Sequence, residues 1–300
     1  MISRRAMLGS LLALPAAASL SRPAAAKVDL AGVKTRKASR VERLWATPHG
    51  KPNALDLTDE GLWIMDQDPG SWASLVDPET GSLIREFQCE NVLAASGICV
   101  DEDGVWVGST YNRLIVLCDP QNGDLIAHYP TPGAGLIYDR ADDPPGRRSN
   151  VERPRPVSPE LPRRRRLDYD LPPGQLPRHL TEAPAGTGAH AILSRDGKLF
   201  VGVPPARAIF VIEKKSWLVL DEWPTASKRP HGSCWADASK DAMWVADSNL
   251  NAFFLHDAST GRIVERLQLP DDSPVIHGAT LYNGYMYFCD DVGWMFRFRM

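Results

Sequence analysis

The stretch LWIMD at 62–66 returns four times along the chain, as VWVGS at 105–109, LFVGV at 199–203, MWVAD at 243–247 and MYFCD at 286–290. Each copy sets an aromatic residue (Trp63, Trp106, Phe200, Trp244, Tyr287) among apolar neighbours and closes on a small residue or an acid. The aromatic positions are separated by 43, 94, 44 and 43 residues. Strand-length apolar runs recurring every 40–45 residues or so are the signature of a β-propeller, in which each repeat is one blade of four strands.

Working outward from each copy gives the rest of the blade. In the second unit, Ser96–Val100 is the inner strand, Asp103-Gly104 a hairpin turn, 105–108 the second strand, Leu114–Cys118 the third and Leu125–Tyr129 the outer one. The turn before the outer strand reads Asp119-Pro120-Gln121-Asn122-Gly123. It returns as Asp77-Pro78-Glu79-Thr80-Gly81 and Asp257-Ala258-Ser259-Thr260-Gly261, with a degenerate copy at Glu213–Trp217. An acid that bonds backbone amides, a proline that fixes φ and a glycine that accepts positive φ together make a tight turn.

The last unit, 276–300, lacks a fourth strand, whereas Val41–Ala46 is an orphan strand ahead of the first unit. Pairing the two closes the ring and removes both open edges. The expected fold is therefore all-β: a five-bladed β-propeller with units at 53–88, 96–130, 190–224, 231–268 and 276–300 with 40–47. A sixth blade would fit the long interval by length, but composition opposes it. Residues 139–184 hold ten prolines and ten arginines, including Arg163–Arg166. Proline is excluded from central strands, and such a segment cannot bury enough apolar surface to order a sheet. The interval at about 133–186 reads as an insertion.

The chain has 300 residues, 43% of them hydrophobic, enough for a sizeable core. Its net charge of −3 gives no long-range attraction for nucleic acid or anionic lipid. Residues 1–26 read as a twin-arginine signal: Ser3-Arg4-Arg5 with Leu8, an apolar run to Leu20, then Ala24-Ala25-Ala26 before a cut. That predicts export to the periplasm, a linker at 27–39 and a propeller over 40–300. The apolar run is too short for a stable span and nothing else approaches that length, so the mature chain is expected to be soluble and to act as a monomer. Five cysteines, with no CxxC pair, fall mostly in strand patterns that suit small buried hydrophobes. Cys89–Cys99 and Cys99–Cys118 are the nearest pairs should any oxidise.

The phrases LWIMDQ and MWVADS, each followed by an aspartate-led turn ending Thr-Gly, resemble the virginiamycin B lyase-like and YVTN-repeat propellers over nearly all of 40–300 outside the insertion. The resemblance implies a propeller frame in a group that includes metal-dependent lactone-opening lyases, lactonases and members with no catalysis. It carries over no catalytic residue pattern.

Aligning the inner strands places Asn53, Ser96, His190, His231 and His277 at one register, where each should open onto the central channel. Three of the chain's seven histidines share that register. Imidazoles from three blades suit a divalent metal, whose identity the sequence leaves open, with His190, His231 and His277 as ligands or as catalytic groups. The same pattern also suits metal-free ligand contacts, or hydrogen bonds between blades. Asn53, Ser96, Asp66, Asp247 and Asp291 are candidate substrate contacts at the same mouth, although aspartates at the ends of second strands commonly cap turns. His49 is expected nearby. Lys228 and Arg229 either hold an anionic substrate or face solvent. Trp72 and Trp294 are candidate stacking residues at the rim. The first functional expectation is an exported propeller that binds a small molecule, acting as a metal-assisted lyase or hydrolase on a lactone or ester if it is an enzyme. The rival is a non-catalytic periplasmic scaffold that captures another protein through the insertion.

Overall fold

The computed structural model describes residues 28–67, 70–137, 143 and 187–300. Their strands run in chain order from β1 (Lys34–Lys37) and β2 (Glu42–Ala46) into four consecutive blades. Blade 1 holds β3 (Pro52–Thr58), β4 (Gly61–Asp66), β5 (Trp72–Val76) and β6 (Leu83–Gln88). Blade 2 holds β7 (Ala95–Asp101), β8 (Gly104–Ser109), β9 (Leu114–Cys118) and β10 (Leu125–Pro130). Blade 3 holds β11 (Ala191–Arg195), β12 (Lys198–Val203), β13 (Ala208–Glu213) and β14 (Leu218–Pro224). Blade 4 holds β15 (Pro230–Trp235), β16 (Ala242–Asp247), β17 (Ala252–Asp257) and β18 (Ile263–Gln268). Blade 5 begins with β19 (Ala279–Tyr282), β20 (Tyr285–Cys289) and β21 (Trp294–Arg299).

The described residues form five sheets, and β2 completes the fifth by pairing antiparallel with β21, Glu42 opposite Arg297. The expected closure by the N-terminal strand and the count of five blades both hold; the six-blade alternative does not. The inner strands β3, β7, β11, β15 and β19 touch in succession, and β19 touches β3. The signal at 1–26 and most of the interval 133–186 lie outside the described residues.

One element was not legible in advance. β1, within the stretch read as a linker, joins blade 4 as a fifth strand, parallel to β18 with Lys34 opposite Glu265. Just before it, Val28, Leu30 and Val33 pack against the patch of Ala252, Phe254 and Ile263. The strand thus covers an outer edge that would otherwise present unpaired backbone groups.

The aromatic phrase builds the wall between blades. Trp63, Trp106, Phe200, Trp244 and Tyr287 are all buried. The turn before each outer strand reaches the neighbouring blade. Gly261, at φ 71°, lies so close to Trp223 of blade 3 that an added Cβ would fall 2.0 Å from the indole. In blade 3 the degenerate turn puts Trp217 at φ 57° in that position, where it stacks on Tyr129 of blade 2 at 4.0 Å. All five cysteines are free and buried. No helix among the described residues is long and apolar enough to cross a membrane.

Candidate functional site

The channel register is set by backbone irregularities. In blade 1 the pairing steps from Pro52–Asp66 to Ala54–Met65, leaving Asn53 as an extra residue. Blade 2 does the same at Ser96, and blade 4 at His231 and Gly232. A bulge bends its strand and re-aims the side chain it carries. In blades 3 and 5 the ring residues precede the strand proper, held by His190 N–H to Gly202 O at 2.9 Å and His277 N–H to Cys289 O at 2.8 Å.

The residue after each ring position is small: Ala54, Gly97, Ala191, Gly232 and Gly278. The inner strands leave no room for more. A Cβ on Gly232 would lie 2.4 Å from His277 O, and one on Gly278 would lie 2.7 Å from the Ala54 carbonyl carbon. The His-Gly pairs are therefore one feature with two parts: a backbone contact between blades, and a polar side chain beside it.

The three histidines come together as a ladder. His190 and His231 stack with ring centroids 4.9 Å apart and planes 19° apart, and His231 meets His277 at 4.5 Å and 38°. All three are buried. On the other side of the ring Asn53 Nδ2 donates to Ser96 Oγ at 3.0 Å, as does Gln67 Nε2, also at 3.0 Å. Gln67 was not foreseen; its only signal is its place after the LWIMD phrase. His190 Nδ1 lies 3.0 Å from Gly188 O. His231 Nδ1 and Nε2 and Asn53 Oδ1 are buried without a protein partner, and His277 Nδ1 makes no hydrogen bond of good geometry although the Val275 carbonyl acts on its ring.

Burial holds the imidazoles neutral. It pushes His190 and His277 down to about 3, and His231 well below its ordinary value. The Arg229 cation lowers all three further. At His190 the Gly188 carbonyl pulls the other way.

The aspartates lie on the same face but work chiefly as turn caps. Asp290 Oδ1 accepts from the amides of Val292, Gly293 and Trp294 at 2.9–3.0 Å. Asp247 Oδ1 accepts from Asn249 and Leu250, and Asp66 Oδ1 from Lys51. Burial raises all three carboxyls, Asp66 to about 7. Asp291 keeps a buried Oδ1 without a protein partner and acts electrostatically on Arg229.

His49 stands apart from the ladder. It stacks on Trp72 at 4.7 Å and 7°, with Nε2 2.7 Å from Glu86 Oε2. Trp72 is thus occupied by His49, and Trp294 by Arg43, whose guanidinium carbon lies 4.5 Å from the ring centroid. Lys228 does not face open solvent: it is buried, 3.8 Å from Asp143, which also takes a bidentate pair from Arg207 at 2.7 and 2.8 Å.

Two arrangements bear on a metal. Asp101, Glu102 and Asp103 bring carboxylate oxygens within 4.8 Å of one another, a group that could hold an ion. Lys214 Nζ, however, sits among them at 3.0, 3.1 and 2.6 Å. An ammonium already supplies the positive charge there and ties blade 3 to blade 2. The histidine ladder does not reach that spacing: among the described residues, no choice of one nitrogen from each ring gathers all three within 4.8 Å. His190 and His231 stack nearly parallel and His231 and His277 are tilted, so bringing one nitrogen from each ring to a common centre, as a divalent metal demands, requires the rings to turn.

No family description matches the chain, and no curated protein matches it. Among solved structures, Myxococcus xanthus glutaminyl cyclase is 8% identical with a TM-score of 0.56, covering 89% of this chain and 97% of that one. The Myceliophteria thermophila Cps50 (Swd1) β-propeller domain is 11% identical with a TM-score of 0.45, covering 87% and 100%. The WD40 β-propeller domain of Doa1 is 12% identical with a TM-score of 0.44, covering 82% and 62%. At such identities a likeness shows the fold alone, and the two lower scores carry no argument. The class is a five-bladed β-propeller.

Proposed function

We propose that this propeller is exported and binds a small polar molecule at the channel mouth, held by His190, His231, His277, Asn53 and Ser96. One observation carries the reading: His231 is 2% exposed, lies between two other imidazoles, and has no protein partner for either ring nitrogen. Buried polar atoms are almost always satisfied, and those that the protein leaves open mark where a ligand or an ordered water completes the set.

The same numbers argue for binding over proton transfer. A general base works best with a pKa near the ambient pH, and His190 and His277 at about 3 are poor bases at neutrality. A metal-assisted lyase or lactone hydrolase, the activity suggested by the virginiamycin B lyase-like resemblance, is the second reading. It is favoured by three unprotonated imidazoles on consecutive blades, and it requires the rings to turn from their stack. The glutaminyl cyclase likeness supports the frame and supplies no residue for that enzyme's chemistry.

Equilibrium dialysis against Zn²⁺, alongside thermal unfolding in the presence of small acids, polyols and sugars, separates the two. Stabilisation by an organic compound, lost in His231→Leu and His277→Leu, supports the first reading. One tightly held Zn²⁺ per chain, lost in the same variants, would replace it with the second.

A further inference from the structure

We infer that the ligand is a small carboxylic acid that also carries a hydroxyl or amino group, and that Arg229 holds its carboxylate. This rests on the ring being a ligand site and assigns that site a chemical class.

The open atoms define what fits. A neutral imidazole offers one N–H donor and one acceptor nitrogen, and His231 has both without a protein partner. Asn53 has committed its amide nitrogen to Ser96, which leaves Oδ1 as an acceptor looking for a donor. A bare anion cannot satisfy Asn53, and a hydrocarbon satisfies nothing. A molecule with an acceptor end and a neighbouring hydroxyl or amine satisfies both sides.

Arg229 supplies the charge. It immediately precedes β15, two residues before His231, and its carbonyl accepts from Ser248 N–H at 3.2 Å. It is half-buried, and its Nε is buried without a partner. Among the described residues no carboxylate lies within ion-pairing distance of it. The groups that face it electrostatically are Asp247, Asp291 and Tyr111. Asp247 commits Oδ1 to two loop amides and keeps Oδ2 buried without a partner. A planar guanidinium with open N–H groups is suited to bidentate recognition of a carboxylate. The same face already shows that geometry where Arg207 grips Asp143. The Arg229 charge lowers the proton affinity of all three imidazoles and disfavours a second cation beside them, which sets this class against a bare divalent metal.

The test uses lactate, malate and alanine as probes, with methyl lactate and propane-1,2-diol as uncharged controls. Binding is followed by calorimetry and by the ring signals of the three histidines in NMR. At least one acid is expected to move the His231 and His277 signals, with methyl lactate and the diol weaker by at least about tenfold. Arg229→Gln should weaken the acid by at least about tenfold and leave the diol unchanged, and Arg229→Lys should recover part of the loss. If acid and diol bind alike and Arg229→Gln has no effect, the carboxylate assignment falls while the ring remains a ligand site. If no acid moves the ring signals but a neutral probe does, the outcome is the same. If nothing moves them, both readings fall.

Discussion

Replacing His231 with leucine separates a ligand site from a structural one. The side chain is buried between two imidazoles, and both of its nitrogens lack a protein partner. A buried polar atom left unsatisfied costs about 1–3 kcal/mol. Leucine is close in volume and removes both nitrogens, relieving about 2–6 kcal/mol at most. Against this stands the loss of two ring contacts, each worth about 0.5–1.5 kcal/mol. The central values favour the variant by about 2 kcal/mol, within limits of about −1 and +5, less whatever ordered water already recovers. For a domain of this size the central value corresponds to a rise of roughly 4–8 °C in melting temperature. Thermal and urea unfolding of both proteins measure it, and the ligand response should vanish in the same variant. Such a trade of stability for function is what a binding site predicts. Destabilisation of the leucine variant by more than about 1 kcal/mol would refute the reasoning, because it would mean that the nitrogens hold the blades together.

Gly232→Ala places a Cβ 2.4 Å from His277 O, against backbone that cannot move aside easily; it should cost at least about 1–3 kcal/mol by chemical denaturation. Lys214→Met leaves Asp101, Glu102 and Asp103 without their cation and should cost about 3 kcal/mol, most of it recovered in the Lys214→Met/Asp101→Asn pair, read by a double-mutant cycle. His190 and His277 stay neutral in the folded chain down to about pH 3, whereas in the unfolded chain they take up protons near 6.5. The unfolded state therefore binds more protons between those values, and their contribution is present above about pH 6.5 and lost as pH falls toward 3. Asp66, raised to about 7, acts in the opposite sense: it gains its proton in the folded state first and supports stability on acidification. Asp66→Asn should accordingly steepen the acid loss, measured as urea stability between pH 7 and 4.

Much of the frame was legible because a repeat magnifies weak signals. One apolar phrase read once is ambiguous, whereas five copies with their aspartate turns leave little room for another architecture. The closing strand followed from an accounting of edges: a blade short by one strand and a strand without a blade. The shared register of Asn53, Ser96, His190, His231 and His277 was also visible, because a repeat aligns its own positions. What the register could not show was direction. The bulges at Asn53, Ser96 and His231 carry no composition signal, yet they aim the side chains. Five inner strands in near backbone contact then bring the three imidazoles ring against ring, a ladder that the register alone did not show. β1 was missed because Lys-Thr-Arg-Lys lacks the apolar alternation of a strand; it forms on an edge supplied by blade 4 and is drawn in by Val28, Leu30 and Val33 beside it. His49 was expected near the mouth by its position in the chain; its stack on Trp72 and its bond to Glu86 were not readable from that position.

A ligand site at the channel mouth should be visible directly. Crystals soaked with a library of small polar compounds, hydroxy and amino acids among them, test it most directly. An ordered molecule is expected within hydrogen-bonding distance of His231, His277 and Asn53, with its acidic group on Arg229. A mouth in which water alone bridges His231 Nδ1, His231 Nε2, His277 Nδ1 and Asn53 Oδ1 at every compound tried would contradict it.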